Sequence, residues 1–83
     1  MHYKIMRSTI ELAELKPGEI ATIASVHADR SLYYRLAALG FRVGKRIEVI
    51  RHAKFSGPMQ VRIGTTDIML RLKEAEKITV SAS

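Results

Sequence analysis

The sequence predicts a mainly β fold: a small barrel of about five antiparallel strands with one short α-helix over about residues 30–39. Three observations predict it. A length of 83 residues leaves room for one core. Leu32, Leu36 and Leu39 recur at helical spacing and are stopped by Gly40, a residue suited to a left-handed helix end. After Gly44 the chain alternates apolar and polar side chains, the period of half-buried strands.

Residues 1–9 lack clear periodicity and read as an N-terminal extension that either frays or pairs, ahead of a single domain over 10–83. The run from Ile10 to Leu15 leads into Lys16-Pro17-Gly18, where proline presets a turn and glycine supplies the unusual backbone angles it needs. The first barrel strand follows over Glu19 to Val26. Its apolar positions Ile20, Ile23 and Val26 are too loosely spaced for strict alternation, which implies a bulge or sharp bend. Asp29 or Ser31 caps the helix, since either oxygen can accept a free amide of the first turn. Two tyrosines follow each other at 33 and 34. Successive helical side chains point about 100° apart, so at least one of the pair stays accessible while the other flanks the core.

Beyond Gly44, Ile47 and Val49 share one face, with Arg46, Glu48 and Ile50 on the other. Met59, Val61 and Ile63, then Ile68, Leu70 and Leu72, continue the pattern on either side of Gly64-Thr65-Thr66-Asp67. These two segments therefore form a hairpin. A polar turn at Lys73-Glu74-Ala75-Glu76 precedes a last strand containing Ile78 and Val80. Short strands, brief turns and one helix at this length fit an SH3-like barrel, whose closure limits free sheet edges.

The net charge of +6 is concentrated in the middle of the chain. Between Arg30 and Arg62 stand eight bases, Arg30, Arg35, Arg42, Lys45, Arg46, Arg51, Lys54 and Arg62, against one acid, Glu48. Such a segment favours association with acidic or phosphate-rich partners. Cysteine is absent, so neither a disulfide nor a thiolate metal site is available. No apolar run approaches the roughly 20 residues of a membrane-spanning helix, and residues 1–7 are too short in their apolar part for a secretory signal. The expectation is a soluble cytoplasmic protein without membrane insertion.

The side-chain inventory excludes the common catalytic classes. No serine sits in a nucleophile elbow. Gly40 and Gly44 lie at a helix exit, whereas a phosphate loop needs a helix entrance. His2, His27 and His52 share no ligand spacing, so no metal site and no cofactor is assigned; an ion bridging His2 or His52 to a neighbouring chain is the form a metal would take. What remains is a contact surface. Tyr34, Arg35, Arg42, Arg46, Phe55 and Arg62 are the candidate partner-facing residues, because tyrosine, phenylalanine and arginine combine large contact area with charge or polar handles. Phe55 is expected to be exposed, in a turn with no core to enter.

Leu12-x-x-Leu15-x-x-Gly18, Arg35-Leu36-x-x-Leu39-Gly40-Phe41-x-x-Gly44, Val49-x-Arg51-x-Ala53, Gly57-Pro58-Met59 and Ile68-x-Leu70-Arg71-x-x-Glu74-Ala75-x-x-Ile78-x-Val80 stand in an order and spacing that resemble the ferrous iron transport protein A family, FeoA. The resemblance spans about residues 10–80. It implies an SH3-like adaptor of bacterial ferrous iron uptake that binds the cytoplasmic part of a FeoB-type transporter, whose N-terminal domain is a GTPase. It also places Leu36 and Leu39 in the core as signature positions. The chain departs from the family at the loop before Gly57: many members carry Ala-Pro and then Gly-Asp-Pro or Gly-Gly-Pro where Ala53-Lys54 and Ser56-Gly57-Pro58 stand. Two other readings compete. One is a basic RNA-binding barrel, disfavoured because no aromatic pair at strand spacing could stack successive bases. The other is a self-assembling, metal-bridged oligomer in which the N-terminal extension adds a strand.

Overall fold

The computed structural model of the chain describes residues 9–54 and 57–82. Its six strands form one antiparallel sheet: β1 (Thr9–Glu11), β2 (Ile20–Val26), β3 (Arg46–His52), β4 (Met59–Ile63), β5 (Thr66–Leu70) and β6 (Ile78–Ala82), in the order β1-β6-β2-β3-β4-β5. Helix α1 (Arg30–Ala38) connects β2 to β3, a one-turn helix α2 (Leu72–Ala75) connects β5 to β6, and a 3-10 turn at Leu12–Glu14 follows β1.

The strand count exceeds the expected five because the chain is already paired at Thr9, which faces Ser81 of β6. Lys16-Pro17-Gly18-Glu19 closes with the Glu19 N–H on the Lys16 carbonyl at 3.0 Å, and Gly18 has φ +90°, the geometry of a type II turn with proline second and glycine third. The Gly18 N–H then donates to the Val49 carbonyl at 2.7 Å, so the turn is stitched to β3.

The expected irregularity in β2 is a register shift against β6 between Ile23 and Ser25, with a second in β3 between Val49 and Arg51. Each skips one residue and bends its strand. The inward residues of β2 are Ala21 and Ile23, while Ile20 is exposed. The loose apolar spacing of this strand therefore arises from an exposed isoleucine and a bulge.

The core gathers Leu12, Leu15, Ala21, Ile23, Leu36, Phe41, Ile47, Val49, Met59, Val61, Ile68, Leu70, Ala75, Ile78 and Val80. No buried side-chain nitrogen or oxygen lacks a hydrogen-bond partner among the described residues. The hairpin turn between β4 and β5 contains only Gly64 and Thr65; Thr66 and Asp67, expected in the connection, begin β5 opposite Ile63 and Arg62. Strand alternation likewise ends sooner than expected. Leu72 opens α2, and Ala75, assigned to a polar turn, is fully buried. The Glu74 carboxylate accepts the Arg71 N–H at 3.0 Å, which lets a helical turn form in a segment whose polarity suggested only a loop.

β1 and β5 are the two ends of the sheet, with no ladder between them among the described residues. Helix α1 lies beside β5 and α2, tied there by an ion pair between Arg35 and Glu74.

Candidate functional site

Helix α1 is set by both of its ends. At the start, the Asp29 carboxylate accepts the Leu32 N–H at 2.8 Å; of the two expected caps, this is the one used. At the finish, the Phe41 N–H donates to the Leu36 carbonyl at 2.9 Å and the Gly40 N–H to the Ala37 carbonyl at 3.0 Å, with Gly40 at φ +103°. That pair of bonds is the Schellman pattern, which needs a left-handed residue at the position Gly40 holds. The reversal swings Phe41 into the core and leaves Leu39 outside: Phe41 is 1% exposed and Leu39 42%. Leu39 is thus a surface residue, contrary to its place in the apolar stripe.

Both tyrosines are exposed as well, Tyr34 at 64%. They stand edge to face, with ring centroids 5.8 Å apart and planes at 74°. Neither flanks the core as one was expected to. Two rings at that angle offer no parallel faces for consecutive bases, which weighs against the RNA reading.

The candidate residues fall into three places rather than one. Tyr34 and Arg42 line a groove of about 550 Å³ between α1, the end of β2 and the turn after the helix, together with Tyr33, Ala37, Val26 and Val43. Arg46 and Arg62 line a second groove on the outer face of the sheet with Ile20, Glu48 and Gly64. Arg35 lines a third, between α1 and β5, beside Leu39, Met69 and Glu74. Phe55 lies outside the described residues.

Their electrostatics differ. The Arg62 guanidinium grips Asp67 with two hydrogen bonds, Nε to Oδ1 at 2.6 Å and a terminal nitrogen to Oδ2 at 3.0 Å, and Gln60 donates to the same carboxylate at 3.0 Å. These bonds, Arg62's first, hold the Asp67 carboxyl below its ordinary value. Glu48 faces Arg62 from β3, so this arginine stands in a row between two acids. Arg35 is likewise engaged by Glu74. Burial pushes the Glu74 carboxyl upward, but the Arg71 N–H and the Arg35 guanidinium outweigh it, and the net displacement is downward. Arg42 and Arg46 form no ion pair among the described residues. They are the candidate arginines with charge left to offer.

Val43, at 68% the most exposed large apolar side chain among the described residues, and Met69, at 59%, lie outside the candidate residues that the sequence singles out. Val43 had a signal: an apolar residue three places after a helix-ending glycine and just before Gly44 sits in a turn and has no core to enter. Met69 had one too, since it is out of phase with Ile68 and Leu70.

Among the described residues no three His, Asp or Glu side chains converge to hold a metal ion. The His52 ring is taken up by the fold, its Nε2 lying 3.0 Å from the Ala13 carbonyl and its Nδ1 3.1 Å from that of Ala53. His2 lies outside the described residues. No helix among them is long and apolar enough to cross a membrane.

Comparison with known proteins places this geometry. The FeoA domain model matches residues 10–82. A Campylobacter jejuni protein that carries the name Fe(2+) transport protein A is 33% identical over 70 residues, 84% of this chain and 95% of that one. Among solved structures, the FeoA protein of Chlorobium tepidum superposes with a TM-score of 0.82 at 36% identity, over 88% of this chain and 70% of that one. The zinc-complexed FeoA of Stenotrophomonas maltophilia, a prokaryotic SH3 domain protein, superposes with a TM-score of 0.75 at 31% identity, over 86% and 88% of the two chains.

Proposed function

The chain belongs to the FeoA family, small accessory proteins of iron transport and not enzymes, and from that premise we propose that it is a cytoplasmic adaptor that binds the cytoplasmic part of a FeoB-type ferrous iron transporter and modulates its assembly or activity. The observation that carries this reading is the surface around α1, where exposed aromatic and aliphatic side chains adjoin Arg42, which has no ion pair among the described residues. Apolar area with an arginine at its edge is the composition of a protein-binding surface, since the first supplies affinity and the second orientation and encounter rate.

Within this reading Tyr34, Arg42 and Arg46 meet the partner directly. Arg35 and Arg62 act through their ion pairs, holding α1 against α2 and β4 against β5. Phe55 remains a candidate contact on chemistry alone.

The test is capture of the detergent-solubilised transporter, and in parallel of its isolated GTPase domain, by the immobilised chain at low and physiological salt. The adaptor reading expects capture that weakens when Arg42 and Arg46 are both replaced by Glu in a protein that stays folded. Absence of capture by either form would refute it. Adding the chain to the GTPase domain during GTP hydrolysis asks separately whether an exposed arginine completes the nucleotide site; an unchanged rate rules that out and leaves the adaptor role standing.

A further inference from the structure

We propose that the groove bounded by α1, the end of β2 and the Arg42-Val43 turn is a docking site for an acidic peptide segment carrying a bulky apolar anchor. The claim deepens the adaptor reading and rests on it for the source of the peptide, a stretch of the transporter's cytoplasmic part.

Three features converge on this occupant. The first is exposed apolar area: Tyr33, Tyr34 and Val43 are all solvent-facing and all line the same groove, with the buried Phe41 at its inner side. Scattered exposed apolar residues are ordinary on a protein surface, but three large ones around one concavity mark a binding site. The second is shape. At about 550 Å³ the groove falls within the range of sites that accept a bulky group, and the edge-to-face tyrosine pair forms a stiff wall with few torsions to freeze.

The third is charge. From Arg30 to Lys45 the chain carries Arg30, Arg35, Arg42 and Lys45 and no acid. The nearest carboxylate in sequence, Asp29, is committed to the Leu32 amide. Of these bases only Arg35 is paired with an acid among the described residues. An anchor that fills the groove therefore brings its flanking residues beside uncompensated positive charge, which attracts acidic neighbours and repels basic ones. The other two grooves lack this combination. The sheet groove holds Arg46, which has no ion pair among the described residues, but at about 170 Å³ it is far smaller and its Arg62 is flanked by Glu48 and Asp67; Arg35 of the α1–β5 groove is bound to Glu74.

The experiment follows the backbone amide resonances of the full chain by NMR during titration with short overlapping peptides tiling the cytoplasmic part of a FeoB-type transporter. The same peptides with Asp and Glu changed to Asn and Gln, and a uridine oligonucleotide, are titrated separately. The docking site expects an acidic peptide to move the resonances of Ser25, Tyr34 and Val43 first. Neutralising the peptide, Tyr34→Ala and Arg42→Gln should each weaken binding by about tenfold, with the dispersed spectrum of a folded protein retained.

Shifts centred on Arg46 and Arg62, or on Leu39 and Met69, in a chain that the intact transporter still captures would overturn the groove and leave the adaptor reading in place. No response to any peptide would do the same. Movement of the groove resonances by the oligonucleotide alone would make this a nucleic-acid surface and overturn the peptide assignment. Failure of the intact transporter to capture the chain would remove the adaptor reading, and with it the peptide source named above.

Discussion

Leu36 and Leu39 stand three residues apart on one apolar stripe, yet Leu36 is fully buried and Leu39 is 42% exposed. The difference is made by the backbone between them and Phe41. The helix stops at Ala38, the chain reverses at Gly40, and the ring of Phe41 enters the core that also holds Leu36, while Leu39 at the helix end stays outside it. Leu36→Ala should therefore cost about 2–5 kcal/mol in urea denaturation, while Leu39→Ala, leaving no cavity, should stay within about 1 kcal/mol of wild type. Equal losses would return Leu39 to the core. Glu74 supports a second comparison. Its carboxyl lies below the ordinary value of 4.5 in the folded chain, so its ionised form stabilises the fold above that pH, and the contribution is lost as pH falls through the lower, folded value. In Glu74→Gln the urea midpoint should decline less steeply than in wild type on acidification below pH 4.5. Parallel curves would show that the Arg35 and Arg71 contacts contribute nothing to acid sensitivity.

Helix α1 has nine residues, too few to persist without tertiary support, so its two caps have more effect than they would on a long helix. Removing the Asp29 side chain by Asp29→Ala should cost about 0.5–2 kcal/mol in a thermal or urea melt. Gly40→Ala should cost about 1–2 kcal/mol, from backbone strain at φ +103° and not from crowding, because the nearest side-chain atom to the added methyl, on Ile63, is 3.7 Å away. Both ends of this helix were legible in the sequence, since an Asp before the run and a Gly after it are local signals, and so were Lys16-Pro17-Gly18 and the alternation through β3 and β4. What escaped was set by distant parts of the chain. β1 is a strand because β6 offers it an edge, a long-range pairing that three residues cannot announce. α2 forms because Glu74 returns to the Arg71 amide while Arg35 holds the same carboxylate from another helix. The candidate site divides along the same line. Residue chemistry suggested which side chains could meet a partner, but their division among three grooves, and the neutralisation of Arg35 and Arg62, depend on cross-strand and interhelical neighbours.

At the scale of the whole molecule, a charge counts for association by what surrounds it more than by its presence in the sequence. Arg42 and Arg62 are both exposed arginines in the basic middle segment. Arg62 sits between Glu48 and Asp67 in a row across β3, β4 and β5, and its field is largely cancelled within a few ångströms. Arg42 has no such partner among the described residues. Formal charge alone would assign both the same influence on a negatively charged partner. The surroundings assign it to Arg42, because a compensated pair presents a dipole whose reach is shorter than that of a single charge. Arg42→Gln should accordingly lower the association rate with the transporter's cytoplasmic part severalfold at low ionic strength, and Arg62→Gln clearly less. The difference should vanish near 1 M salt, where the screening length is about 3 Å. Association rates from surface binding or stopped flow across a salt series measure this directly. A larger loss at Arg62 than at Arg42 would move the encounter surface from the α1 groove to the outer face of the sheet.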